Sequence, residues 1–324
     1  MKILIADKFE KAGIEGLKKL GCEVACEPDL GADGIPAALE RLQPQILVVR
    51  STKVPTAVIA KADTVKVIIR AGAGVDNIDV AAATAKGIKV CNCPGMNSIA
   101  VAELTMGLLL ACDRRIPDQT IDARAGKWNK KEYGSKARGL KGSTLGVIGA
   151  GAIGRAVIKR ARAFEMRVLA WSHGITKEHV SDIGAEFGGN DNESLLELAE
   201  TCDAVTIHIP LAPETKHLIG KKFFDHMKPG AYIINTSRGG VIDEAALREA
   251  IKTKGIRAGL DVFEESCAAS EGPWQSQTAQ FGPGVYCTHH VGASTSQAQD
   301  AIAEEVVRMV HMYKSRNRIE NSVN

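Results

Sequence analysis

Aromatic residues are scarce in this 324-residue chain, at 4%, and no block of like charge interrupts it. With 41 basic and 38 acidic residues the formal charge is only +3, so the composition carries no electrostatic footprint for nucleic acid. Long apolar runs are missing too. The longest, Leu104 to Cys112, is about half of what a bilayer crossing requires, so no membrane association is expected. The chain opens MKILIADKFE, which reads as a strand and lacks the basic-then-apolar pattern of a secretory leader. A cytoplasmic location is therefore expected, and with it free thiols for the eight cysteines. None of them forms a C-x-x-C pair, and Cys91 and Cys93 alternate along an apparent strand, so no metal site is expected.

What is present points to two domains. Hydrophobic residues make up 45% of a chain long enough for two cores, and small and β-branched residues suit short strands buried under helices. Lys2–Ala6, Glu23–Cys26, Ile46–Arg50, Val65–Arg70 and Ile88–Asn92 read as strands alternating with amphipathic stretches. Such alternation predicts a doubly wound parallel sheet of flavodoxin type. A long helix over Ser98 to about Ala125 follows, with a homodimer interface expected along it from its apolar run Leu104–Cys112. A second strand–helix series begins at Thr144, and a closing helix spans about Ser294 to Lys314.

The second series opens TLGVIGAGAIGRAVIKRARAFEMRVLAWS, with Gly149, Gly151 and Gly154 in G-x-G-x-x-G spacing. The first glycine permits a tight turn, the second lets backbone N–H groups approach a pyrophosphate, and the third allows close helix–sheet packing. Ala152 and Ile153 begin the helix whose N-terminus favours the phosphates. A buried strand on each side makes the motif a dinucleotide site. Where a carboxylate usually meets the ribose of NAD stands Ser172, with His173 and Lys177 nearby. NAD is the expected cofactor, with NADP open.

Six blocks then carry a family likeness: RAGAGVDNID (Arg70–Asp79), NSIAVAEL (Asn97–Leu104), the glycine fingerprint, NTSRGGVIDEAAL (Asn235–Leu247), GLDVFEE (Gly259–Glu265) and HHVGAST (His289–Thr295). In that order the chain resembles the D-isomer-specific 2-hydroxyacid dehydrogenases over about residues 3 to 310. The resemblance implies an α/β fold with two doubly wound parallel-sheet domains and a cleft between them. Residues 1–97 and 287–324 would form the flavodoxin-like substrate domain, and 98–286 the Rossmann nucleotide domain. It implies hydride transfer between NAD(P) and a small 2-hydroxy or 2-keto acid.

Carried over residue by residue, the resemblance makes Arg238 the clamp on the substrate carboxylate and His290 the general acid/base. A guanidinium can hold a carboxylate bidentately, and an imidazole titrates near neutrality. Asp261 would bond the nicotinamide carboxamide, and His208, Pro210 and Thr236 would line the cofactor groove. The family's third catalytic residue is a Glu where this chain has Ser266, with Cys267 in place of a usual Pro. Glu265, one peptide earlier, is expected to be presented to His290 once substrate closes the cleft; the alternative is that nothing replaces the usual carboxylate. Arg50, in VVRSTKV, resembles the residue that binds the phosphate of 3-phosphoglycerate, while Ala73, Gly74 and Val75 would bind the carboxylate and Asn97 lie near it. Oxidation of 3-phosphoglycerate for serine biosynthesis is thus expected, and no serine-sensing regulatory domain is expected after the core. Two other expectations compete: reduction of glyoxylate, hydroxypyruvate or another 2-keto acid, and an NAD-sensing binding protein like the corepressors that share this fold.

Overall fold

Short runs of branched aliphatic residues form the strands of two parallel sheets. The first sheet holds β1 (Lys2–Ile5), β2 (Glu23–Cys26), β3 (Ile46–Val49), β4 (Val67–Arg70) and β5 (Lys89–Cys91), in the order β2-β1-β3-β4-β5. Every residue of β3 is buried, as expected for a central strand covered on both faces. The second sheet holds β6 (Thr144–Ile148), β7 (Arg167–Trp171), β8 (Glu186–Phe187), β9 (Ala204–Ile207), β10 (Tyr232–Asn235), β11 (Arg257–Leu260) and β12 (Val285–Cys287). Its order is β12-β11-β10-β9-β6-β7-β8, so the chain reverses direction across the sheet between β6 and β9. Crevices at such switch points are where open α/β sheets bind ligands. The two-residue β8 was not anticipated, because Glu186-Phe187 is too short to carry a periodic signal.

The computed structural model describes residues 1–265 and 272–324. They divide into two units, Met1–Asn97 with Ala293–Asn324, and Ser98–Gly292. The second boundary falls at 292/293 and not at 286/287, because β12 pairs with β11 and the residues after it are bonded to Asp261. The closing helix, Ser296–Arg316, is capped by Thr295, whose hydroxyl accepts from the Ala298 N–H. It packs on the helix Lys11–Lys19 so closely that a Cβ at Gly13 would stand 2.9 Å from the Cβ of Ala303. That contact gives the C-terminal segment its place in the first unit.

The helix expected over Ser98 to Ala125 is two helices, Ser98–Arg114 and Ile116–Arg124. Pro117 has no N–H to donate to the Asp113 carbonyl, and Arg115 turns left-handed at φ 53°. Arg257 Nη1 covers the freed end, donating to Cys112 O at 2.7 Å and Asp113 O at 3.2 Å. The apolar run that suggested a subunit interface is used inside this unit: Met106, Leu108, Leu109 and Cys112 are core residues. Nearby exposed apolar side chains are instead Ile116, Ile121 and Trp128. Among the described residues no helix is long and apolar enough to cross a membrane, and no group of His, Cys, Asp and Glu is placed to hold a metal. The seven described cysteines are free, and burial pushes Cys91 up to about 11 and Cys93 and Cys202 up to about 12.

Candidate functional site

In the second unit the candidate residues gather at the carboxyl ends of the strands. β6, wholly buried, runs into Gly149 at φ 97°, where a Cβ would stand 2.6 Å from the His208 carbonyl oxygen. The Gly149 N–H donates to Trp171 O at 2.7 Å, which seats the end of β7 against the turn. At Gly154 a Cβ would lie 2.0 Å from Gly149 O, so only glycine lets the helix Ala152–Ala163 begin this close to the strand. Gly151 faces open space, leaving its backbone and the exposed Ala152 open to a phosphate. Ile153 is half-buried beneath them.

His208, at the end of β9, hydrogen-bonds Thr206 Oγ1 through Nε2 at 2.9 Å. Its Nδ1 is buried with no partner among the described residues, and burial drives its pKa down to about 3. The ring is therefore neutral and has one nitrogen to offer a ligand. Pro210 is exposed just beyond it. At the end of β10, buried Asn235 shapes the arginine turn: Oδ1 accepts from Ser237 N and Oγ, and Nδ2 donates to Arg238 O at 2.9 Å. Thr236 is buried and shares a 2.9 Å hydrogen bond with Thr105. Gly239 lies flat against the next strand end, since a Cβ there would be 1.9 Å from the Phe263 carbonyl carbon.

Asp261 follows β11 and is 1% exposed. Oδ1 accepts from Thr288 Oγ1 at 2.6 Å and Val291 N at 2.8 Å, Oδ2 from Gly292 N at 2.9 Å, and its carbonyl from His290 N at 2.8 Å. The resemblance implies a bond from Asp261 to the nicotinamide carboxamide; here both carboxylate oxygens already hold the loop that carries His290. They hold it in an uncommon shape, for His290 has φ 54°. Its imidazole is exposed on that rigid loop.

Glu265 and His290 are both exposed. The Glu265 carbonyl accepts from Trp274 Nε1 at 2.8 Å. Its neighbour Glu264 faces away and pairs with His217 Nε2 at 2.8 Å. Ser266 and Cys267, the positions of the departure from the family pattern, lie outside the described residues.

In the first unit the same pattern recurs. Arg50 follows β3, Ala73–Val75 follow β4, and Asn97 lies beyond β5. Asp7, after β1 and only 8% exposed, holds the Arg50 loop: Oδ2 accepts from Arg50 N at 2.6 Å and Thr52 N at 3.1 Å. Oδ1 accepts from Ser51 Oγ and Thr52 Oγ1, both at 3.0 Å. Asn77 Nδ2 donates to Thr52 O at 2.7 Å, tying this loop to the turn that contains Ala73, Gly74 and Val75. The half-buried Arg50 guanidinium has no hydrogen-bond or ion-pair partner among the described residues. Neither does the buried Oδ1 of Asn97. Asp7, Asn235 and Thr105 were not singled out from sequence; an acidic residue directly after a buried first strand was the one available signal.

The model of the D-isomer specific 2-hydroxyacid dehydrogenase NAD-binding domain matches residues 106–292. The chain is 44% identical to the D-3-phosphoglycerate dehydrogenase of Methanocaldococcus jannaschii over its full length, and spans 59% of that relative. It is 42% identical to the hydroxypyruvate reductase of Thermotoga maritima over 82% of this chain and 83% of the other. Among solved structures, NAD+-bound 3-phosphoglycerate dehydrogenase of Entamoeba histolytica superposes with a TM-score of 0.80 at 26% identity, covering 100% of this chain and 98% of that one. The chain belongs to the D-isomer-specific 2-hydroxyacid dehydrogenases, and its second unit is their NAD(P)-binding domain.

Proposed function

We propose that the chain oxidises 3-phospho-D-glycerate to 3-phosphohydroxypyruvate, and reduces it in reverse, with NAD(P) as hydride carrier. The observation that carries the phosphorylated substrate is Arg50: a half-buried guanidinium with no protein partner, on a loop locked by Asp7. Leaving such a cation unpaired has a physical reason when an anion completes the site. The backbone N–H groups of Ala73, Gly74 and Val75 and the Arg238 fork would bind the carboxylate, with Asn97 Oδ1 available to a substrate hydroxyl. His290 would take the proton from the 2-hydroxyl as the hydride leaves, and return it in reverse. Bound nicotinamide supplies the hydride acceptor. The same reading places the protein in serine biosynthesis in the cytoplasm as a homodimer, with exposed Ile121 and Trp128 available for the interface.

A second reading, reduction of hydroxypyruvate, glyoxylate or a similar acid, is favoured by the hydroxypyruvate reductase relative, whose length is better covered. Turnover with phosphorylated and unphosphorylated acids separates the two. Arg50→Met should raise KM for 3-phosphoglycerate by about 10–100-fold, the worth of one or two charge-assisted hydrogen bonds, and leave hydroxypyruvate nearly unaffected. Equal effects on both acids would remove Arg50 as a phosphate ligand. Silence with every acid despite cofactor binding would favour the corepressor-like reading.

A further inference from the structure

We infer that the second unit receives the 2′-phosphate of NADP, with His173 as its ligand, and binds NADP at least as well as NAD. This rests on Gly149–Gly154 as the dinucleotide site. The Gly149 N–H on Trp171 O puts the end of β7 directly beside the phosphate turn, where the adenosine ribose of such cofactors lies. A carboxylate there would accept the ribose hydroxyls and repel a 2′-phosphate. Ser172 occupies that position instead. Asp191, on the following segment, is engaged as a helix cap, accepting from Ser194 N at 2.8 Å and Ser194 Oγ at 2.7 Å.

His173 is exposed and oriented. Its Nδ1 lies 3.1 Å from the Asn190 carbonyl, and the ring meets the Trp171 indole edge-on, centroids 4.8 Å apart. A carbonyl can only accept, so Nδ1 carries the hydrogen and Nε2 is the nitrogen left for a ligand. A 2′-phosphate oxygen at Nε2 would share a proton with it in a charge-assisted hydrogen bond. Lys177, at the start of the next helix, adds a second cation; its Nζ stands 5.9 Å from the Phe187 ring centroid.

Calorimetric titration with 2′,5′-ADP and 5′-ADP tests this without any acid substrate. The wild-type chain should bind 2′,5′-ADP at least as tightly as 5′-ADP. His173→Gln should weaken 2′,5′-ADP about tenfold and leave 5′-ADP within about twofold, as expected for loss of one charged hydrogen bond. Ser172→Asp should reverse the preference. A wild-type preference for 5′-ADP of about tenfold or more, or equal weakening of both ligands by His173→Gln, would overturn the assignment. Binding of neither nucleotide would overturn the dinucleotide site itself, whereas failure of the phosphoglycerate reading would appear only in turnover.

Discussion

Each unit fixes a loop after a parallel strand with one buried aspartate, and the two aspartates face different donors. In the first unit one oxygen of Asp7 meets backbone N–H groups of Arg50 and Thr52, and the other meets only the hydroxyls of Ser51 and Thr52. In the second unit both oxygens of Asp261 meet backbone N–H groups, those of Val291 and Gly292. A hydroxyl can turn and accept where it had donated; a backbone N–H cannot. The loop that presents Arg50 is therefore tolerant in its chemistry, and the loop that presents His290 is not. The proposed roles would match this difference: an anion-binding loop needs only to keep a long flexible arginine within reach, whereas a proton-transfer group must be held closely in place.

The largest effect should come from removing what the strict loop carries. His290→Ala should lower turnover by about 10²–10⁴-fold, the usual contribution of a general acid/base, with cofactor affinity nearly unchanged. Full activity would show that the Asp261 loop presents nothing essential, and the contrast between the units would lose its functional meaning.

The direct comparison is Asp→Asn in each unit. At Asp261 the amide nitrogen must face a backbone N–H whichever way it is flipped, leaving a buried donor unsatisfied at about 1–3 kcal/mol. Asp261→Asn should therefore lower kcat by about 10–100-fold. At Asp7 the amide nitrogen can sit on the hydroxyl side and donate to Ser51 Oγ and Thr52 Oγ1. Asp7→Asn should leave KM for the phosphorylated acid within about threefold of wild type, whereas Asp7→Ala, which removes every acceptor, should not. Similar losses from the two Asn variants would break the comparison.

The sequence announces some of this and hides the rest, for physical reasons. Gly149 and Gly154 are legible because a turn at φ 97° and a 2.0 Å approach to a carbonyl oxygen admit no other residue, so geometry is written into identity. The central strands of both sheets are legible because full burial demands unbroken apolar runs, and the two-residue, half-exposed β8 is not. Asp7 is not, because the N–H groups it accepts from are 43 and 45 residues away and any polar residue may follow a strand. Asp261 is conspicuous in its motif, yet its work on residues 288–292 exists only once β11 and β12 pair. The helix break at Arg115 is legible in Pro117, whose missing N–H outweighs the apolar pattern that continues across it.

The smallest effects should come from the two glutamates between these elements. The sequence leads one to expect Glu265 as the partner of His290. In an extended segment neighbouring side chains point opposite ways, and here Glu264 is the one with a partner, His217. Glu265 keeps its carboxylate exposed, and its fixed atom is the carbonyl held by Trp274. Glu265→Gln should therefore change neither turnover, beyond about twofold, nor the pH at which turnover is half-maximal. Glu264→Gln weakens a hydrogen bond to His217 whose members are 38% and 40% exposed, and such exposed contacts contribute about 0–1 kcal/mol. It should lower thermal stability slightly and raise KM at most a few-fold, because the clip braces the peptide on which Gly239 and the Arg238 turn rest. A pH–rate profile displaced to lower pH by Glu265→Gln would show that the carboxylate does reach His290 during turnover. The strict support of that histidine would then include a charge as well as the Asp261 loop.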